Sequence, residues 1–222
     1  MILEERLKKN FQKIIKQGIF SFEFNYLDEK IITNSGYFKD YKHQLNLISK
    51  STATHSTLVL NNSSTVRFER SNNGQMLVAK NFKVFNKEVK SDSNYWSIKA
   101  SHDAYAKSSG IIHERKLIFF NNEYKIKGYD KLIKLKNFKC SNFEVRFHLL
   151  PEINLTKLIN NETILIESKN AGWKFTCKNQ KIDIETGLYF GTKNKYLENK
   201  NILISGEVIP KEQSIIWEIL KI

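Results

Sequence analysis

The sequence predicts an all-β protein, an antiparallel β-sandwich preceded by a short amphipathic helix. Many short runs alternate apolar with polar residues, which is the period of a half-buried strand. Asn-, Asp- and Ser-rich clusters separate these runs in a chain with only 9 Gly and 2 Pro. No strand–helix–strand rhythm appears, which argues against a parallel α/β sheet.

Taken in order, residues 3–17 read as the helix. Leu3, Leu7, Phe11, Ile14 and Ile15 recur at steps of three and four and form one apolar stripe. Glu4 and Glu5 at its start and Lys13 and Lys16 near its end suit the helix dipole, and Gly18 stops it. The period then changes to two. Phe20, Phe22, Phe24 and Tyr26 alternate with Ser21, Glu23 and Asn25, a strand with one aromatic face. Further strands are expected over 30–34, 56–60, 65–69, 76–85, 95–102, 111–120, 123–128, 131–136 and 143–149. The remainder are expected over 163–167, 173–178, 181–185, 187–190, 202–209 and 214–221. Short strands at such spacing, with turn signals such as Asn61-Asn62-Ser63 and Asn121-Asn122 between them, define a sandwich. Residues 40–54 form the one long polar connection, with room for a helical turn. No repeat or linker divides the chain, so the organisation is a helix over 1–17 and one β domain over 18–222.

Composition supports a packed core, with 41% hydrophobic and 12% aromatic residues. The formal net charge is +13, which favours polyanions as partners. Only Arg6, Arg67, Arg70, Arg115 and Arg146 are arginines, so the charge is almost all lysine, which lacks the bidentate fork of specific phosphate or sulfate recognition. The lysines are scattered rather than clustered with exposed aromatics, and a nucleic-acid-binding protein ranks last among the readings. Cys140 and Cys177 make no metal spacing and read as buried thiols. No apolar leader and no membrane-spanning run is visible.

No Gly-rich phosphate loop, HExxH, CxxC or GxSxG occurs, so no cofactor is expected. The histidines carry what chemistry there is. His55 stands where a polar loop enters a strand, a place where scaffolds present functional groups, although a hydrogen-bonded structural histidine is the commoner outcome. His102 and Tyr105 follow a strand and suit an acid and a base if they converge on a cleft. Alternation puts His113 and Arg115 on one face of the next strand. In 143–149, Phe143, Val145, Phe147 and Leu149 face one way and Glu144, Arg146 and His148 the other. That second face suits an anionic sugar, or a cross-strand ladder of ion pairs. Trp96, Trp173 and Tyr189 are candidates for stacking on a sugar ring, with core packing the default.

Several segments, in this order, resemble heparinase II/III-like proteins in their C-terminal β domain. They include Phe20-Ser21-Phe22-Glu23-Phe24, Ile31-Ile32-Thr33-Asn34-Ser35-Gly36-Tyr37 and Thr52-Ala53-Thr54-His55-Ser56-Thr57. Ser101-His102-Asp103-Ala104-Tyr105, Gly128-Tyr129-Asp130, Arg146-Phe147-His148, Gly172-Trp173 and Glu185-Thr186-Gly187 extend the likeness to the end of the chain. The resemblance implies an antiparallel β-sandwich that follows an α/α toroid and cleaves acidic polysaccharide by β-elimination. It also implies that most catalytic residues lie on the toroid, which this sequence does not contain. Some members hold a structural zinc through a His-x-His segment, an Asp and the His of a His-Ser-Thr segment. Here His55 matches the last, Asn34 replaces the Asp, and no histidine occurs near 14–16, so no metal is expected.

The expectation is therefore a lyase β domain, catalytically incomplete alone. Its site candidates are His55, His102 and Tyr105 for catalysis and His113, Arg115, Arg146, His148 and Trp173 for substrate. Expected partners are acidic polysaccharide and a separate toroid or a second copy of the chain, with no membrane. The alternative readings are a lyase active through His55, His102 and Tyr105, and a basic polyanion-binding β protein. Family resemblance implies a periplasmic or secreted setting.

Overall fold

A computed structural model describes residues 18–40, 42–65, 68–70, 76–78, 82–192 and 195–222, with backbone alone for 68–70 and 76–78. The helix expected over 3–17 lies outside the described residues.

The early strands are β1 (Phe24–Tyr26), β2 (Glu29–Ile32), β3 (Leu58–Leu60), β4 (Phe68–Arg70) and β5 (Met76–Val78). Next come β6 (Val84–Ser91), β7 (Tyr95–His102), β8 (Ile111–Phe120), β9 (Lys125–Lys134) and β10 (Asn142–His148). The last six are β11 (Asn154–Lys157), β12 (Thr163–Glu167), β13 (Gly172–Cys177), β14 (Lys181–Tyr189), β15 (Leu197–Glu207) and β16 (Gln213–Lys221). Two short helices, α1 (Gln44–Ile48) and α2 (Ala106–Ser109), and a 3-10 turn (Thr52–Thr54) fill connections.

An eight-stranded sheet runs β11-β12-β13-β16-β9-β8-β7-β6, and a four-stranded sheet runs β14-β15-β10-β3. Neighbouring strands in both pair antiparallel. This is the predicted sandwich. The alternation explains the layers. Phe143, Val145 and Phe147 of β10 and Ile202 and Ile204 of β15 join Phe175, Trp217 and Ile219 of the larger sheet in one buried cluster. Phe147 lies at the centre, its ring 4.7 Å from Trp217 and 4.8 Å from Phe175. Each such fully buried phenylalanine contributes about 1.5–3 kcal/mol of transfer free energy.

The segment from Gly18 to Tyr26 is regular strand only over Phe24–Tyr26. Phe20 has φ 61° and spends its carbonyl on the Arg115 guanidinium at 3.0 Å, so the backbone there leaves the ladder. The aromatic face still holds. Phe20 packs on His102 and His113, Phe22 stacks on Trp217, and Phe24 meets Trp173 edge-on.

Two pairs of expected strands prove continuous. Residues 123–128 and 131–136 are one strand, β9, and 181–185 and 187–190 are one strand, β14. In each a glycine looks like punctuation but serves close approach. A Cβ at Gly128 would sit 2.0 Å from the Trp217 ring, which lies across β9 at that point. Conversely, the run 76–85 divides into β5 and the start of β6, and the polar β11 was not expected.

Candidate functional site

One buried polar network organises the larger sheet. His102 and His113 face each other in register on β7 and β8. His102 Nδ1 accepts the Ala104 amide at 3.2 Å, so its Nε2 carries the proton toward His113 Nδ1 at 3.1 Å. His113 in turn donates from Nε2 to Asp130 Oδ1 at 2.7 Å. Arg115 grips the same carboxylate through Nε (2.7 Å) and Nη2 (3.0 Å), and Trp217 Nε1 donates to Oδ2 at 2.9 Å. Burial alone would raise the Asp130 pKa; the Arg115 guanidinium and His113 more than reverse this and hold it well below the usual carboxylate range. Burial lowers the His113 pKa against the pull of Asp130, so this imidazole is neutral.

Arg115 Nη1 also donates to the carbonyls of Phe20 (3.0 Å) and Ser56 (2.9 Å). The network thus ties the start of the β domain and the approach to β3 onto the larger sheet. Its members are out of reach of a polymer: His102 and His113 are 0% exposed and Arg115 is 3%. Tyr105, also 0% exposed, donates its hydroxyl to the carbonyls of Leu58 (3.0 Å) and Ser63 (3.3 Å). His102 and Tyr105 do adjoin, with ring centroids 5.9 Å apart, yet between the sheets rather than on a cleft. Trp173 is wholly buried against Phe24 and Tyr26 and presents no ring to a sugar.

The opposite face of β10 forms an ion-pair ladder. Arg146 donates to Glu185 through Nε and to Glu144 through Nη1, both at 2.8 Å. His148 is buried under the 34–56 connection. Its Nε2 donates to the Ala53 carbonyl at 3.0 Å and its Nδ1 accepts the Ser35 hydroxyl at 3.0 Å. Burial lowers its pKa to about 3, with nearby His55 adding to the effect.

His55 is itself only 4% exposed, but of the expected catalytic residues it is the one that borders an open cavity, a cleft of about 550 Å³ between the 21–30 segment, the 33–37 segment and the end of β14. Its Nδ1 donates to the Ser51 carbonyl at 2.9 Å, and Gly18 lies against the ring. Burial lowers its pKa to about 4, partly opposed by the Ser51 bond, so it is neutral near pH 7. Glu23 and Lys30, paired at 2.8 Å, also line the cleft. Asn34 gives Oδ1 to the Ser56 amide at 2.9 Å and turns Nδ2 toward Glu23 at 3.5 Å.

Tyr37 and Tyr189 complete the rim; in sequence Tyr189 stood out only as one of several aromatics able to stack on a sugar ring, and Tyr37 only as part of a family-like segment. Tyr37 accepts a hydrogen bond from buried Asn46 at 2.9 Å, with the Lys50 ammonium 5.5 Å from its ring centre. Gly36 places it. At φ +81°, a Cβ there would meet the Gly191 amide nitrogen at 2.8 Å, so only glycine allows the 36–37 segment this close to the end of β14. The Ser-Gly-Tyr sequence was the available signal: a left-handed glycine fixing an aromatic beside it.

The zinc that the family resemblance implies does not fit here. Asn34 is a neutral amide rather than a Cys, His or carboxylate ligand, and its oxygen already accepts the Ser56 amide. No three His, Cys, Asp or Glu side chains converge among the described residues. Nor is any helix among them long and apolar enough to cross a membrane.

Fold and cleft together define a two-layer antiparallel β domain with a polar, tyrosine-rimmed groove at one edge. The sequence model for "Heparinase II/III-like, C-terminal" matches residues 16–218. The chain therefore belongs to the heparinase II/III-like family and corresponds to its C-terminal domain. Among solved structures it is similar to the heparan sulfate lyase HepC of Pedobacter heparinus, with TM-score 0.73 and 16% identity over 90% of this chain and 30% of that one. A heparinase III gene product gives TM-score 0.68 and 13% identity over 90% and 29%. A further heparinase III gives 0.63 and 12% over 91% and 29%. The chain thus spans about 30% of the length of these structures. No curated protein sequence matches it.

Proposed function

We propose that the chain forms the β wall of a cleft in which a uronic-acid polysaccharide is cut by β-elimination, and that it does not complete the catalytic set by itself. Elimination needs a base for the C5 proton of the uronic acid, an acid for the departing 4-linked sugar, and neutralisation of the carboxylate as the carbanion develops. The carrying observation is that only His55, of the three catalytic candidates, lines the cleft. With a pKa of about 4 it is neutral and a weak base, better suited to accepting a hydrogen bond from the sugar than to driving the proton transfer. Lys30 is the one ammonium in the lining among the described residues and is held by Glu23. The missing base, acid and neutralising charge would come from an α/α toroid facing this wall, on the same polypeptide or on another. No zinc takes part. Calorimetric titration with uronic-acid oligosaccharides tests the first half: His55→Ala and Tyr37→Ala should each weaken binding several-fold, and unchanged affinity in both would refute the cleft.

A further inference from the structure

We infer that residues 3–17 dock as an amphipathic helix on an open apolar strip at the β6–β7 edge of the larger sheet. On one face of that sheet the register sets Val89 beside Ile98, Ile98 beside Leu117, Trp96 beside Phe119 and Phe119 beside Ile126. Alternation makes this the face that carries His102, His113, Arg115 and Asp130 in the interior. The core-facing side of the sheet thus runs on past the cover of the smaller sheet. Toward the β6 edge Val89 is 74% exposed, Trp96 44% and Ile98 36%. Trp96 stacks on Phe119 with ring centres 5.8 Å apart, and Phe22 and Phe24 join them around a groove of about 280 Å³. A continuous apolar strip of this kind marks a surface that another element covers.

Chain path and length point to the occupant. Residues 18–21 form a turn: the Ser21 amide and hydroxyl donate to the Gly18 carbonyl at 3.2 and 3.0 Å, and Phe20 has φ 61°. The chain before Gly18 therefore heads back alongside the segment that follows the turn. That segment tracks β7 and β8, because Phe20 packs on His102 and His113 and Phe24 reaches Phe119, the partner of Trp96. From the level of His102 to that of Trp96 is about 20 Å of strand at ~3.3 Å per residue. A helix over 3–17 is about 22 Å long at ~1.5 Å per residue. Leu3, Leu7, Phe11, Ile14 and Ile15 lay an apolar stripe along that length, with Lys9 and Lys16 on the opposite side toward water.

The test is iodide quenching of tryptophan fluorescence in the full chain. Of the three tryptophans, Trp173 and Trp217 are buried in the core, so iodide reports on Trp96. The docked helix should leave Trp96 poorly quenched. Phe11→Asp should raise the quenching constant several-fold, because a charge on the stripe cannot be buried unpaired, whereas Lys9→Asp on the polar side should not. Val89→Asp approaches the same contact from the sheet. Val89 sits at the sheet edge with no cover from the rest of the β domain, so this variant folds whether or not the helix docks, and it too should free Trp96. Free quenching of Trp96 in the unaltered chain would overturn the docking. Poor quenching that neither Phe11→Asp nor Val89→Asp changes would also overturn it and assign the cover to another segment. Quenching that rises on dilution as a dimer dissociates would overturn it in favour of a second copy of the chain.

Discussion

His102 and His113 stand opposite each other on adjacent strands, joined Nε2 to Nδ1 at 3.1 Å, and the proton order between them is fixed from both ends. The Ala104 amide sets His102, and Asp130 sets His113. Two histidines that sequence offers as chemistry are thus the inner rungs of a structural relay ending on a carboxylate shared with Arg115 and Trp217.

Loss of the Asp130 charge should therefore be costly. Asp130→Asn leaves the Arg115 guanidinium buried without its counter-charge, and removing one partner of a buried pair typically costs about 3–5 kcal/mol. Urea denaturation should show this fall in stability. A change below about 1 kcal/mol would mean that the network does not hold the Phe20 and Ser56 segments to the sheet.

Stability should fall on acidification, beginning near pH 6.5. His55 and His148 have folded pKa values of about 4 and about 3, below their ordinary 6.5. The unfolded chain takes up these protons first, so stability is full above 6.5 and is lost as pH drops toward the folded values. Each histidine adds a slope of up to about 1.4 kcal/mol per pH unit in that window. Asp130, held low, adds a loss of the opposite chemical origin below the ordinary carboxylate range. His148→Gln should flatten the pH dependence of the denaturation midpoint between pH 4 and 6.5, and an unaltered slope would contradict the assignment.

Tyr105→Phe separates scaffold from site. Its hydroxyl serves the Leu58 and Ser63 carbonyls, so the variant should lose about 1–2 kcal/mol of stability and keep its oligosaccharide affinity. Lost affinity in a stably folded variant would give Tyr105 a role in the cleft.

How much of this was legible in sequence depended on what alternation encodes. Period-two patterns gave β7, β8, β10, β12 and β16 nearly to the residue, because each buries one face against the other sheet. They also placed His113 and Arg115 on a shared face. They could not say which face is interior. Only the third dimension shows that these residues satisfy one another at 0–3% exposure. His55 was legible from its junction between loop and strand. Tyr189 was legible as an aromatic able to stack on a sugar, but its meeting with Tyr37 was not, since the rim is made by segments more than 150 residues apart, Gly36 meeting Phe190.

Metal content offers an independent check. The purified chain should carry well under one zinc per molecule, and a chelator should leave its thermal midpoint unchanged. A stoichiometric, stabilising zinc would show that Asn34 and His55 are joined by ligands the reading overlooks.

The most direct measurement follows the ultraviolet absorbance of unsaturated uronate while the purified chain is incubated with heparan sulfate, hyaluronan, alginate and heparin. The account predicts no rise with the chain alone, although oligosaccharide binding at the cleft persists. A rise that His55→Ala abolishes would contradict it and make this β domain a lyase sufficient in itself.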